Sequence, residues 1–182
     1  MTRSWLRRPI APVALAVACV VAAAALTWFQ PWKLWVDRTV EEAPLGAAQT
    51  SGARVQPGTS VTPVQPSDPV VLAQGRFVSH EHTTTGAVRI LQANGARYLR
   101  IDDLDTSNGP VLKVWLTDVA VVEGEAGWRV FDDGRHVDLG PLKGNKGSQN
   151  YPIPADVDLA QYRSVTIWCE RFHVSFGAAE LR

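Results

Sequence analysis

Hydrophobic and polar residues alternate in short runs from residue 75 onward. Leu112, Val114 and Leu116 share one parity, with Lys113 and Trp115 between them, as in a strand with one buried face. Gly- and Asn-rich turn signals separate such runs at intervals of about 8–12 residues, and 156–163 is the best candidate for a short helix. The pattern predicts an all-β domain over residues 75–182, an antiparallel β-sandwich or barrel.

The most β-prone run is 165–176, rich in β-branched and aromatic residues. Ile167 and Cys169 share one parity, whereas Phe172, Val174 and Phe176 take the other. A β-bulge at Glu170-Arg171 would bring both sets to one face, because one extra residue reverses the phase. We therefore expect Cys169 to point inward beside a local irregularity.

An uninterrupted apolar stretch, 9–29, begins the chain, behind a basic tail at 1–8 that contains Arg3, Arg7 and Arg8. Its length suits one crossing of a bilayer, and tryptophans up to residue 35 resemble an interfacial aromatic belt. Residues 9–35 are thus predicted to be a transmembrane anchor. The basic tail predicts a cytoplasmic N-terminus and an extracytoplasmic C-terminal domain.

Two other interpretations of this stretch remain open. A signal peptide could be cleaved within Ala22–Ala25, where A-x-A sites occur. A lipoprotein site at Cys19 is disfavoured because Ala16 replaces the usual leucine and apolar residues follow. Cleavage after Ala25 would expose Leu-Thr-Trp-Phe, so we favour an uncleaved signal anchor.

Residues 36–74 change character: proline, glycine, serine, threonine and alanine dominate, without a regular hydrophobic period. Such a stretch buries too little apolar area to offset its chain entropy. It is predicted to be a disordered, Pro-rich linker that holds the domain off the membrane.

The charges do not indicate a basic, nucleic-acid-binding surface. Residues 75–182 contain 12 basic and 14 acidic side chains, so no nucleic-acid partner is expected. Common nucleophile, zinc and dinucleotide fingerprints do not occur. The segment 140–147 lacks phosphate-loop spacing and is expected to be a long structured loop. These observations favour a protein other than a conventional enzyme.

Cys169 is the candidate for chemistry in the domain, either as a reactive thiol or as a small buried hydrophobe. His80 and His82 are two residues apart and would share a strand face. Together with Cys169 they would give a two-histidine, one-cysteine set of the kind that holds copper. The other interpretation is that both histidines are solvated loop residues. Asp102, Asp103 and Asp105 are expected to be solvated carboxylates.

Four blocks of residues resemble the DM-thirteen domain, which occurs in Skeletor-related animal proteins and bacterial envelope proteins. In order they are Phe77 with His82 and Gly86; Tyr98 to Leu116 with its Asn-Gly-Pro turn; Leu139 to Pro154; and Val165 to Leu181 with Trp168-Cys169. The resemblance covers essentially all of residues 75–182. One departure is Val111, where the family usually has aspartate.

The resemblance implies a β-rich extracytoplasmic domain with an electron-transfer role, centred on the cysteine of the Trp-Cys motif. Cys169, with His82 and Trp168, would then act as a bare thiol or hold a prosthetic group. The cofactor is left open between haem, copper and none. Two hypotheses follow: a membrane-tethered redox module with an unidentified redox partner, or a non-catalytic envelope binding or structural module with a core cysteine.

Overall fold

The computed structural model describes residues 10–30, 32, 36–45 and 68–182. One helix, α1 (Ile10–Phe29), precedes nine strands. The strands are β1 (Thr39–Glu41), β2 (Val70–Ser79), β3 (Thr85–Ala93), β4 (Ala96–Asp105), β5 (Leu112–Thr117), β6 (His136–Pro141), β7 (Lys146–Ile153), β8 (Ser164–Cys169) and β9 (Val174–Glu180).

Helix α1 is apolar along its whole length, and its side chains are exposed from Ala11 to Phe29. Residues Ala11–Phe29 are long and apolar enough to cross a bilayer, and a signal sequence would meet the same criterion. The helix confirms the expected apolar segment. The expected tail 1–8 lies outside the described residues.

The strands form one curled sheet in the order β1-β7-β4-β3-β2-β9-β8-β5-β6. β2 belongs to both halves: residues Val70–Arg76 pair with β3, and Phe77–Ser79 pair with β9. The sheet therefore folds over on itself at β2. The expected β-sandwich is confirmed, and every pairing is antiparallel except that of β1 with β7.

The main core lies between the two halves and takes one face of each strand. Residues of alternate parity from β3, β4 and β7 meet those from β5, β8 and β9. The face of β5 that carries Leu112, Val114 and Leu116 points into this core, as its alternation predicted.

A second, smaller core covers the outer face of β5, β8 and β9. Trp115, Phe131, Trp168 and Ala178 form it. Phe131 belongs to the segment 118–135, which connects β5 to β6 and contains a 3₁₀ helix at Glu125–Gly127. This half of the sheet is therefore buried on both faces, which explains why every residue of β8 is buried.

Both ends of the stretch expected to be a disordered linker are ordered in the sheet. Thr39–Glu41 form the edge strand β1, which pairs with β7, and Val70–Gln74 form the first half of β2. The expected boundaries, 36 and 74, therefore need correction, while 46–67 lies outside the described residues. β1 attaches through backbone pairing and polar contacts, and neither requires the hydrophobic period by which strands are recognised.

The expected short helix at 156–163 is a single 3₁₀ turn, Leu159–Gln161. Asp158 caps it, because its carboxylate accepts a hydrogen bond from the backbone N–H of Ala160 at 3.1 Å.

Candidate functional site

The hairpin of β8 and β9 positions Trp168 and Cys169. β8 ends at Cys169, a turn occupies Glu170–His173, and Cys169 pairs directly with Val174 at the start of β9. The bulge expected at Glu170-Arg171 is thus a chain reversal. Four consecutive turn residues separate Cys169 on β8 from Val174 and Phe176 on β9. Phe172, which was expected to share the buried face, is one of these turn residues and is exposed.

A register irregularity does occur, but on β9. Ile167 pairs with Gly177, whereas Trp168 pairs with Ser175, so Phe176 is the extra residue. Val174 and Phe176 consequently face the main core with Cys169, while Ser175 lies on the outer face with Trp168.

Cys169 is fully buried in the main core. Its thiol donates a hydrogen bond to the carbonyl oxygen of Pro110, with an Sγ–O distance of 3.3 Å. Burial raises the pKa of the Cys169 thiol, and the nearby backbone N–H groups of Phe172 and Arg171 only partly oppose this. The group at this position is therefore a protonated thiol at neutral pH, not a thiolate.

Trp168 lies on the opposite face of β8, in the outer core. Its indole is fully buried and stacks on Trp115, with ring centroids 5.2 Å apart and an angle of 25° between the planes. Phe131 meets it edge-on at 6.4 Å. The Trp-Cys dipeptide thus links two cores: its indole belongs to the outer one and its thiol to the inner one.

Two exposed histidines flank the stacked tryptophans. The imidazole of His136 lies 3.8 Å from the Trp115 ring and nearly parallel to it. His173 meets Trp168 edge-on at 6.5 Å, and its Nδ1 lies 3.0 Å from Asp132 Oδ2. A continuous series of aromatic contacts therefore leads from the surface at His136, through Trp115 and Trp168, to the strand that bears Cys169.

His80 lies beneath the segment 118–135, the covering segment of the outer core, and is 6% exposed. Its Nδ1 is 2.8 Å from Ser175 Oγ, its Nε2 is 3.1 Å from the Val122 carbonyl oxygen, and its ring stacks on Phe131 at 5.7 Å. Ser175 Oγ continues the network to Thr166 Oγ1 at 2.8 Å. Burial lowers the pKa of His80, so the neutral imidazole ties the covering segment to β9.

His82 is directed to a different place. Its ring packs on Phe176 with a centroid distance of 4.0 Å, and its Nε2 is 3.7 Å from a Glu81 carboxylate oxygen. Phe176 is a member of the core that holds Cys169, so His82 covers that core from outside. The interpretation of both histidines as solvated loop residues is wrong for His80, which is buried. His82 does lie in a loop, but it is only partly exposed because its ring packs on Phe176.

The expected copper ligands do not converge. Both ring nitrogens of His80 are hydrogen-bonded, one to Ser175 and one to Val122. His82 packs on Phe176, and the Cys169 thiol is fully buried in the main core. Within the described ranges, no group of three or more His, Cys, Asp or Glu side chains could hold a metal ion. The same enclosure leaves Sγ no open side for a haem iron. The residues present therefore do not fit a copper ion or a haem iron.

Comparison with known families adds a decisive observation. A family model described as "Electron transfer DM13" matches residues 76–181. The chain belongs to the DM13 family. No curated protein and no solved structure matches the chain. The match supports a redox-related module and confirms the resemblance found in the sequence.

The sequence reasoning missed two residues of this aromatic series in the DM13 domain, His136 and, more importantly, Trp115. The alternation of β5 placed it on the face opposite Leu112, Val114 and Leu116, where polar residues were expected. It is only 6% exposed there, and its Nε1 is buried without a hydrogen-bond partner among the described residues. A large aromatic residue on the strand face that was expected to contact solvent was the available signal of a second core.

The acidic cluster of the DM13 domain is not simply solvated. Asp102 accepts hydrogen bonds from Arg89 at 2.8 Å and from Arg100 at 2.6 Å. Burial alone would raise the pKa of Asp102, but the two guanidinium groups outweigh it and lower that pKa. Arg100, itself 4% exposed, also donates to the backbone of Glu42 and Ala43. The ion-pair network therefore serves to hold the segment after β1.

The expected long loop at 140–147 is shorter in the structure, because Gly140 and Pro141 end β6 and Lys146 and Gly147 begin β7, which leaves a four-residue connection, 142–145, beside β1. Asn145 is 2% exposed, accepts from the Arg38 backbone at 2.7 Å and donates to the Thr106 carbonyl at 2.8 Å. Lys143 Nζ and the backbone N–H of Asn150 both donate to the Glu42 carboxylate, at 2.7 Å each. The site for β1 is thus built from polar side chains of the DM13 domain.

Proposed function

We propose that this protein is a membrane-tethered, extracytoplasmic electron-transfer module whose redox path runs through the Trp168-Cys169 dipeptide. The module takes one electron from one partner and passes it to another, and it forms no bond to either. Family membership supports the redox class, and the stack of His136, Trp115 and Trp168 carries the proposal of a path.

The stack has the properties that such a path requires. Indole rings are among the side chains most readily oxidised by one electron, and the two indoles are in contact. Trp115 Nε1 has no hydrogen-bond partner among the described residues, so an oxidised ring has no adjacent acceptor for its N–H proton. An oxidised Trp115 therefore favours return of the electron over irreversible chemistry.

The proposed role of Cys169 differs from that of a nucleophile. A thiol that is fully buried and protonated reacts poorly with electrophiles and binds metals poorly. In the proposal it is the inner neighbour of Trp168, held by Pro110. The core also shields it from oxygen and from other thiols, which prevents the disulfide formation expected of an exposed cysteine in an oxidising compartment.

The same burial favours a second candidate function. A fully enclosed cysteine can fill core volume and nothing more, in which case the domain is a non-catalytic binding or structural module of the envelope. The two candidates differ in what the tryptophan stack does, because a structural module needs only its shape.

The tethering part of the proposal rests on α1 and on charge. The helix has the length of a bilayer crossing, and Arg3, Arg7 and Arg8 precede it. The positive-inside tendency then favours a cytoplasmic N-terminus and a domain on the other side.

Flash oxidation tests the redox path. The full-length protein in detergent is mixed with a soluble photo-oxidant, and the yield and lifetime of the tryptophan radical are followed by transient absorption. Trp115→Phe and Trp168→Phe should each reduce the long-lived radical several-fold. Trp128→Phe is the matched control, because this indole lies in the same domain but packs against the main core.

Thermal denaturation of each variant shows whether the fold is retained. A radical yield unchanged in both Trp115→Phe and Trp168→Phe would support the structural module instead. A loss in Cys169→Ala as well would assign the thiol to the path.

A further inference from the structure

The connection between α1 and the sandwich is short. α1 ends at Phe29, and the chain is already fixed to the domain at Val36, whose carbonyl accepts a hydrogen bond from Asn108 Nδ2 at 2.8 Å. Seven residues span at most about 25 Å when fully extended. The part of the domain around Asn108 must therefore stay within that distance of the end of the helix.

This geometry changes the role of the stretch expected to be a spacer. The chain enters the sheet at β1 before it reaches 46–67, and it returns to the sheet at β2. Residues 46–67 consequently connect two strands of one sheet. Whatever their conformation, they cannot set the distance between the membrane and the domain.

The end of the sandwich nearest Val36 contains the β4–β5 loop, 106–111, and the β8–β9 turn, 170–173. The turn meets the end of α1 directly: the guanidinium of Arg171 lies 4.8 Å from the centre of the Trp28 ring and donates to the Trp28 carbonyl. The ring of Phe172 stacks on Phe29 at 6.1 Å. The helix end and the turn thus share one surface.

Two apolar side chains remain exposed on that surface. Val111 and Phe172 are each 39% exposed. Val111 also has φ +55, a conformation that is strained for a β-branched residue. Residues in such strained conformations persist where the surroundings or the function require them.

We propose that this end of the domain, the membrane-facing surface of Val111, Arg171 and Phe172, docks on the interface of the bilayer that α1 spans. Phe172 and Val111 enter the boundary between headgroups and acyl chains, and Arg171 pairs with lipid phosphate. The partner is lipid because the same surface is continuous with Trp28 and Phe29 at the end of the anchor. The inference rests on the membrane tethering of the proposed function.

Docking orients the aromatic stack. Trp168 pairs with Lys113 near the start of β5, next to Leu112 and Cys169, whereas His136 pairs with Thr117 at the other end of that strand. The Trp168-Cys169 end of the stack then lies toward the lipid, and His136 lies toward water. Electrons following this stack would travel between the membrane side and the aqueous side.

An environment-sensitive label tests the docking. Full-length protein carrying Cys19→Ala is reconstituted into vesicles of phosphatidylcholine and phosphatidylglycerol, with a nitrobenzoxadiazole label at Val111→Cys or, separately, at Phe172→Cys. The control site is Asp156→Cys, which is exposed and follows the end of β7 that pairs with Arg97, about 26 Å along β4 from Asp105. A sample with no added cysteine gives the labelling of Cys169.

When the surface is docked, the labels at 111 and 172 should emit at shorter wavelength and be quenched several-fold by lipid carrying a spin label high on its acyl chain. The label at 156 should show neither effect. Solvent-like emission at both 111 and 172, in protein that floats with the vesicles, would overturn the docking and leave the anchor intact. Protein that does not float with the vesicles would overturn the tethering itself and the docking with it.

Discussion

Trp168 and Cys169 are neighbours in sequence, but their side chains lie in different cores. The alternation of a strand accounts for this, and the sequence placed Cys169 inward correctly. The sequence could not show that the outer face of β8 is also buried, because Phe131, which covers Trp168 there, comes from a distant segment of the chain. Long-range contacts of this kind leave no periodic signal in β8 itself.

Cys169 should be protected from alkylation in the native protein. Because its pKa is raised by burial, iodoacetamide at neutral pH should modify it only when the chain unfolds, which mass spectrometry of Cys19→Ala protein can follow. Modification of the folded domain within minutes would contradict the enclosed site.

The raised pKa also predicts an alkaline loss of stability. Above the ordinary thiol pKa of 9.0, the unfolded chain releases the proton while the folded chain retains it, so the free energy of unfolding falls as pH rises. Cys169→Ala should remove this component. Denaturation curves at pH 8 and pH 10 measure the difference between parent and variant.

His80 should make the domain sensitive to acid. Burial lowers its pKa below the ordinary 6.5, so at mildly acidic pH the unfolded chain binds a proton that the folded chain does not. The free energy of unfolding should therefore fall as pH drops below about 6.5. His80→Gln should flatten this part of the stability profile between pH 7 and pH 5, and an equally steep profile in the variant would disprove the assignment.

At the level of elements, β1 is the least predictable part of the fold. The sequence reasoning assigned its residues to a linker, since three residues with no hydrophobic period do not indicate a strand. What holds β1 is a set of polar partners far along the chain, among them Asn145, Lys143 and Arg100. The hairpins were easier to anticipate, because their turn residues and apolar alternation are local.

Two changes distinguish the part of 36–74 that belongs to the sheet from the connection between β1 and β2. Glu42→Ala should lower stability by about 1–2 kcal/mol, because its carboxylate accepts hydrogen bonds from Lys143 and from the Asn150 backbone. Glu41→Ala, the neighbour outside this network, is the control. Differential scanning calorimetry should show a loss of several degrees for the first variant alone.

Deletion of residues 50–61 should leave the melting temperature unchanged. β1 and β2 are four strand spacings apart in the sheet, roughly 19 Å, and the ten residues left of 46–67 can span up to about 33 Å. A marked drop in melting temperature would show that the deleted residues contribute to the folded domain.

For the whole molecule, the sequence was most informative about the fold class and least informative about how the strands are arranged in the sheet. An apolar segment followed by a β-rich domain could be read directly, and the family followed from four blocks of residues. The sharing of β2 between the two halves, and the immediate return of the chain to β7 after α1, depend on pairings distant in sequence. With α1 in the membrane as proposed, these pairings hold the domain close to the bilayer rather than at the end of a long linker.

The proposed topology predicts how intact cells respond to protease. With a cytoplasmic N-terminus, protease added to spheroplasts should remove an epitope placed after Arg182 while a cytoplasmic marker survives. Reversal of Arg3, Arg7 and Arg8 to glutamate should reduce this cleavage, because the charge bias that sets the orientation is lost. Full protection of the epitope in the parent would overturn the orientation.

The position of β1 also determines how the protein bears mechanical load. With α1 in the membrane as proposed, tension on the sandwich passes through the hydrogen bond of Val36 with Asn108 and then through β1, which is three residues long and pairs with a single neighbouring strand. β1 should detach before β2, which is ten residues long and pairs on both sides. Its release would add residues 39–69 to the tether, on the order of 100 Å of contour length, while the aromatic stack stays folded. The short strand would then be the first element to detach under force, and single-molecule pulling should record its detachment as a first, small extension step.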